Sequence, residues 1–171
     1  MAPKKILFCA DFSENSEPAR EVAVDYAKAF GAQLLIIHVI DANSFPHYVD
    51  WVGESLSAGW ADEAVKQIVE RAKESASLRL ESLASECGKD VEHVESYCRI
   101  GSPASEIVAL AGKESVDLIV IGTHGRTGVK HLVMGSIARS VLKKAHRPVL
   151  IVEAPPEKGE SSEEPREFLM P

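Results

Sequence analysis

The sequence predicts an α/β protein built on an open, parallel, five-stranded sheet with helices on both faces. Three observations predict it. Short apolar runs alternate along the chain with longer segments whose apolar residues recur at three and four, the order of a repeated strand and helix unit. These short runs are apolar at odd and even positions alike, as strands covered on both faces must be. A glycine-rich stretch, Gly122-Thr123-His124-Gly125-Arg126-Thr127-Gly128 followed by Gly135-Ser136, joins one such run to a helical one.

The first strand is expected over Lys5 to Ala10. A helix start lies between Ser13 and Ser16, with Pro18 tolerated in the first turn, and Ala19, Val22, Ala23, Tyr26, Ala27 and Phe30 form its inward stripe. Gly31 stops it. Gln33 to Val39 is the second buried strand. The segment from Asp41 to Trp60 has no period and holds both tryptophans with Phe45 and Tyr48. It is a lid, a partner contact or filling beneath the next helix. A long helix follows from Ala61 to Cys87, with Val65, Ile68, Val69, Ala72, Ala76, Leu80 and Leu83 on one stripe and Gly88 after it.

Val91 to Arg99 is more polar and is expected at a sheet edge. The next helix takes Ser102 as cap and Pro103 in its first turn, and turns Ile107, Val108 and Ala111 inward. Val116 to Ile121 is the fourth strand, Ile137 to Ala145 the fourth helix with Val141, Leu142 and Ala145 inward, and Pro148 to Val152 the fifth strand. From Ala154 the composition turns to Pro, Glu and Ser, a mobile acidic tail. One domain over residues 1–153 is therefore expected, with an aromatic insertion at 41–60 and a tail at 154–171.

A chain of 171 residues with 45% hydrophobic and 26% charged content suits one soluble domain. Its net charge of −7 argues against a general nucleic-acid or anionic-membrane surface, so any anion must be held locally. No run approaches the roughly 18 apolar residues of a membrane span. The opening residues run straight into the first strand with no signal-peptide core, and Cys9, Cys87 and Cys98 are widely spaced without a zinc pattern. A cytoplasmic protein with reduced thiols is expected.

The glycine-rich stretch reads as a phosphate cradle. Glycines bring backbone N–H groups close to an anion, the following helix start adds orphan donors, and Ser136 adds a hydroxyl. Arg126, Lys130 and His131 are the basic groups between strand and helix. The spacing, Gly-x2-Gly-x9-Gly-Ser, is neither a Walker A loop nor a dinucleotide fingerprint.

That spacing resembles the ATP-binding signature of the universal stress protein family. Ile6-Leu7-Phe8-Cys9-Ala10-Asp11-Phe12-Ser13 looks like its opening strand and acidic turn, Leu35-Ile36-Ile37-His38-Val39-Ile40-Asp41 like its second strand, and Asp117-Leu118-Ile119-Val120-Ile121-Gly122 like its fourth. The resemblance covers most of residues 3–153. It implies a Rossmann-like sheet of strand order 3-2-1-4-5, with the crevice between strands one and four. It further implies that Asp11 holds the adenosine end of ATP and that the backbone at Val39 meets adenine. Where the family often has Pro-Thr before the aspartate, this chain has Cys9-Ala10. The expected ATP site comprises Cys9, Ala10, Asp11, Val39, Ile121, Gly122, Thr123, His124, Gly125, Arg126, Thr127, Gly128, Gly135, Ser136 and Ile137. Mg2+ or Mn2+ would be held mainly by the phosphates. Pairing of the apolar fifth strand, Val149 to Val152, with its copy gives a homodimer, as family members commonly form.

Taken alone, Asp11 reads as a turn or capping aspartate and the glycines as a flexible surface turn. His124 lacks a fixed carboxylate partner and is expected to line the site, not to act as a base. His38 is expected as a satisfied core or crevice-edge histidine and Cys9 as a small buried group. The expected function is regulatory: nucleotide occupancy alters binding of an unknown protein partner, with hydrolysis slow at most. An adenylating enzyme of the related α-hydrolase folds is the alternative, but the segment Ala10-Asp11-Phe12-Ser13-Glu14-Asn15 lacks that class's glycine loop. A nucleotide-free dimeric scaffold is the other, and the intact glycine motif speaks against it.

Overall fold

Strand β1 (Lys5–Cys9) lies at the centre of a parallel sheet, between β2 (Gln33–Asp41) and β4 (Leu118–Gly122). Strand β3 (Val94–Gly101) flanks β2 and β5 (Val149–Val152) flanks β4, so the order is β3-β2-β1-β4-β5, the order the resemblance implied. The computed structural model describes residues 2–41, 61–123 and 134–154, the side chains of 61–66 excepted. The aromatic segment after Asp41, the loop 124–133 and the tail after Ala154 lie outside them.

Alternation along the strands builds two cores. Ile6, Phe8, Leu34, Ile36 and Val120 pack on one face, against α1 (Glu17–Phe30) and α2 (Ala61–Cys87). Leu7, Leu35, Ile37, Ile119 and Ile121 pack on the other, against α3 (Pro103–Lys113) and α4 (Ser136–Lys144). Each such side chain contributes about 1.5–3 kcal/mol by leaving water. The face changes because the chain reverses direction across the sheet after β3, and right-handed crossovers then carry the helices to the opposite side. The reversal leaves β1 and β4 as neighbours whose connections run apart, which opens a crevice at their carboxyl ends.

Several boundaries follow local chemistry. Gly31 ends α1 in a left-handed conformation (φ 59°), with its N–H on Lys28 O and that of Ala32 on Ala27 O. The bounds of α2 match the sequence expectation, and Ala76 and Leu80 are its most buried stripe positions. Strand β3 starts at Val94, not Val91: Val91 is buried in the turn leaving α2, where its N–H donates to Cys87 O. A 3-10 turn, Glu14–Ser16, precedes α1. Ser102 occupies the N-cap of α3 but its hydroxyl makes no capping bond.

Three expected inward residues face out. Tyr26 and Phe30 form an edge-to-face pair on the outer side of α1, and Leu142 is 49% exposed on α4. In each helix the neighbouring alanines and valines, Ala23 and Ala27 or Ala138 and Val141, hold the core-facing positions. Small residues let the helices approach the sheet closely, which displaces the larger ones outward.

The amino ends of β1 and β4 are tied by Asp117, whose Oδ2 accepts from the N–H of Lys4 (2.8 Å) and Lys5 (3.0 Å). Those bonds hold its carboxyl below the usual carboxylate range. A carboxylate with a lowered folded-state pKa stabilises the fold above its unfolded value, and this is lost as pH falls through the folded value. Asp117→Asn should therefore lower stability modestly at pH 7, where the carboxylate is ionised, and the difference from wild type should shrink as pH falls below about 4. Urea titrations at several pH values check this.

Candidate functional site

The crevice at the carboxyl ends of β1, β2 and β4 is a cleft of about 600 Å³, within the size range of small-ligand sites. Its floor is Cys9, Ala10, Ile37 and Ile121, its β2 side His38 and Val39, and its far side Gly135, Ser136 and Ile137 at the start of α4. Helix α2 closes it with Ala72, Ser75, Ala76 and Arg79, residues spaced on one helical face.

Asp11 leaves β1 and makes a turn of its own: Oδ1 accepts from the Ser13 N–H (2.9 Å) and the Ser13 hydroxyl (2.7 Å). The turn role and a place in the crevice thus coexist in one side chain. His38 is buried, and its Nδ1 lies 2.8 Å from Ala10 O. A carbonyl only accepts, so Nδ1 carries the proton, and the histidine is satisfied at the crevice edge as expected. The Phe12 ring lies 4.2 Å from the His38 ring, and the Arg79 guanidinium lies 4.2 Å over Phe12. Cys9 is buried, and burial pushes its thiol far up, so it behaves as a small apolar group. All three cysteines are free.

At the other end, the residues that flank the glycine-rich stretch 124–133 are joined at a neck. Gly135 N–H donates to Thr123 O (2.8 Å), and Thr123 N–H donates to Val152 O (2.9 Å). A Cβ on Gly135 would lie 2.8 Å from that same Thr123 oxygen. Gly135 is therefore required by close backbone approach and not by a positive φ, since its φ is −55°. Its N–H is spent on the neck bond to Thr123 O. Gly135 is also the N-cap, so Ser136 is the first residue of α4 and not its cap. Ser136, Ile137 and Ala138 of the first turn of α4 line the crevice, and first-turn N–H groups are those a helix leaves without intrahelical partners.

Of the expected site residues, Cys9, Ala10, Asp11, Val39, Ile121, Gly122, Thr123, Gly135, Ser136 and Ile137 line this one cleft. His124, Gly125, Arg126, Thr127 and Gly128 lie outside the described residues. Phe12, His38, Ser75 and Arg79 were not in the expected site. For the α2 pair the available signal was a run of small residues, Ala72, Ser75 and Ala76, between the larger apolar residues of the helix's stripe, Ile68 and Val69 on one side and Leu80 and Leu83 on the other. Among the described residues no group of three or more His, Cys, Asp or Glu is arranged to hold a metal ion, and no helix is long and apolar enough to cross a membrane.

Comparison with known proteins agrees with this architecture. The model of the universal stress protein family matches residues 3–153. Universal stress protein MJ0531 of Methanocaldococcus jannaschii is 36% identical over 152 residues, covering 89% of this chain and 83% of that protein. Universal stress protein MJ0577 of the same organism is 32% identical over 158 residues, covering 88% and 94%. Its solved structure superposes with a TM-score of 0.66 at 31% identity, covering 91% of this chain and 99% of that one. A universal stress protein from Archaeoglobus fulgidus, solved in complex with dAMP, shares the fold with a TM-score of 0.59 at 21% identity, covering 90% and 100%. With the 3-2-1-4-5 sheet, the crevice at its switch point and a family match across nearly the whole described chain, this protein belongs to the universal stress protein family.

Proposed function

We propose that the crevice binds an adenine nucleotide, ATP with Mg2+ or Mn2+ on its phosphates, and that occupancy of the site is the signal this protein conveys. Adenosine lies toward the β1 and β2 ends, with Asp11 at the ribose side and the Val39 backbone at the base. The phosphates lie toward Gly122, Ser136 and Ile137 and the loop of residues 124–133, with His124, Gly125, Arg126, Thr127 and Gly128 around them. One observation carries this assignment: a single cleft at the switch point gathers the acidic turn, the end of β2 and a helix amino end. The likeness to the dAMP-bound protein is one of fold, and the support comes from the cleft itself.

The bound metal would neutralise phosphate charge, and this chain's residues would orient the nucleotide. No residue is assigned as a base, so turnover is slow at most. Residues 1–153 act as one domain, and a second copy pairs along β5, an edge strand of four half-buried apolar residues. Nucleotide occupancy then shifts the population of conformers that a protein partner selects.

Acid release and chromatography of the purified protein should yield adenine nucleotide, and the stripped protein should bind Mg-ATP in a calorimetric titration. A protein that purifies empty and gives no heat with Mg-ATP would refute nucleotide binding.

A further inference from the structure

Among the described lining residues of the crevice, only Phe12 has a left-handed backbone (φ 61°). A residue with a Cβ holds that conformation only when its surroundings offset the cost. Here three contacts surround it. The Asp11 carboxylate closes a turn across it onto Ser13. The His38 ring packs at 4.2 Å. From α2, 67 residues along the chain, Arg79 places its guanidinium 4.2 Å over the ring and donates from Nη2 to the Phe12 carbonyl at 3.2 Å. Arg79 thus grips both the ring and the backbone of the strained residue.

Two clefts meet at that grip. Phe12 and Arg79 line the crevice and also a second cleft of about 540 Å³ between the start of α1 and α2, where Arg20, Ser82 and Glu86 complete the wall. With Ala10 and Ser16, the pair forms the partition between them.

We infer that Arg79 is a positioning residue for the adenosine end of the crevice. It fixes Phe12 in the left-handed state, and Phe12 fixes the turn that aims Asp11. The position of α2 and occupancy of the crevice are thereby linked, each favouring the other. This rests on the nucleotide assignment above. A different role, direct contact of Arg79 with phosphate, makes opposite predictions about ligand and background.

The test is calorimetric titration of adenosine and of Mg-ATP into the wild type, Arg79→Ala, Phe12→Gly and the double variant. Arg79 is exposed, and melting temperatures confirm that each variant folds. Arg79→Ala should weaken both ligands equally, by about tenfold. In the Phe12→Gly background, where residue 12 takes its angle without a Cβ penalty, the same substitution should change affinity by less than twofold. A loss confined to Mg-ATP, an equal loss in both backgrounds, or no loss in Arg79→Ala would each overturn the positioning role while leaving nucleotide binding intact. A wild type that binds neither ligand removes both.

Discussion

Gly135→Ala should weaken Mg-ATP binding by about a hundredfold while leaving the fold intact. The added methyl group meets the Thr123 carbonyl oxygen at 2.8 Å, and that partner is backbone, with no rotamer by which to move aside. The neck bond between Gly135 and Thr123 must lengthen, and the start of α4 must shift away from the end of β4. Donors aimed at the phosphates then miss by a fraction of an ångström to an ångström. A hundredfold corresponds to about 2.7 kcal/mol, the scale of one or two hydrogen bonds to a charged group. Gly135 belongs to neither core cluster, so thermal unfolding should move by only a few degrees. Gly112→Ala supplies the control, because a Cβ there meets nothing within 4 Å. Titration of the three proteins decides the matter, and a Gly135→Ala affinity within threefold of wild type would remove the loop neck from the site.

The strands and the long helix were legible because their signals are dense: both faces of β1, β2 and β4 are apolar, and α2 carries its stripe over many turns. The crevice was legible through its glycines and Asp11, which stand at strand ends where the topology places ligands. What escaped has physical reasons. Tyr26 and Phe30 share the helical period of Ala23 and Ala27, and periodicity does not report how closely a helix approaches a sheet. Val91 is apolar and buried yet sits in a turn, so burial was mistaken for strand. The glycine spacing does not report that the Gly135 N–H closes onto the Thr123 carbonyl, a contact that only the approach of α4 to the end of β4 creates. Arg79 lies on a polar-looking helix far along the chain, and only the packing of α2 over β2 and β3 brings it to Phe12.

Phe8→Ala should cost about 3–5 kcal/mol, a large part of the 5–15 kcal/mol typical of a domain. Among the described residues Phe8 is the largest of the fully buried side chains, and it is 1% exposed at the centre of the sheet. Its cluster includes Ala19, Ala23 and Ala27 of α1 together with Ile6, Ile36 and Val120 from the strands. Alanines have no longer rotamer with which to fill a vacated space, and β1 is paired on both sides, so the cavity cannot collapse. At about 2–4 °C per kcal/mol for a chain of this size, the melting temperature should fall by roughly 10 °C. Circular dichroism reads this directly, and a fall of less than about 2 °C would be incompatible with the packing described. Phe8 is not among the residues lining the crevice, so the variant should keep its nucleotide affinity once folded. Mg-ATP at a hundred times its Kd adds about 2.7 kcal/mol to the stability of whatever binds it. Saturating nucleotide should therefore recover much of the lost stability without restoring the unliganded wild-type melting temperature, a partial rescue expected only if the core defect and the ligand site are separate features of the same sheet.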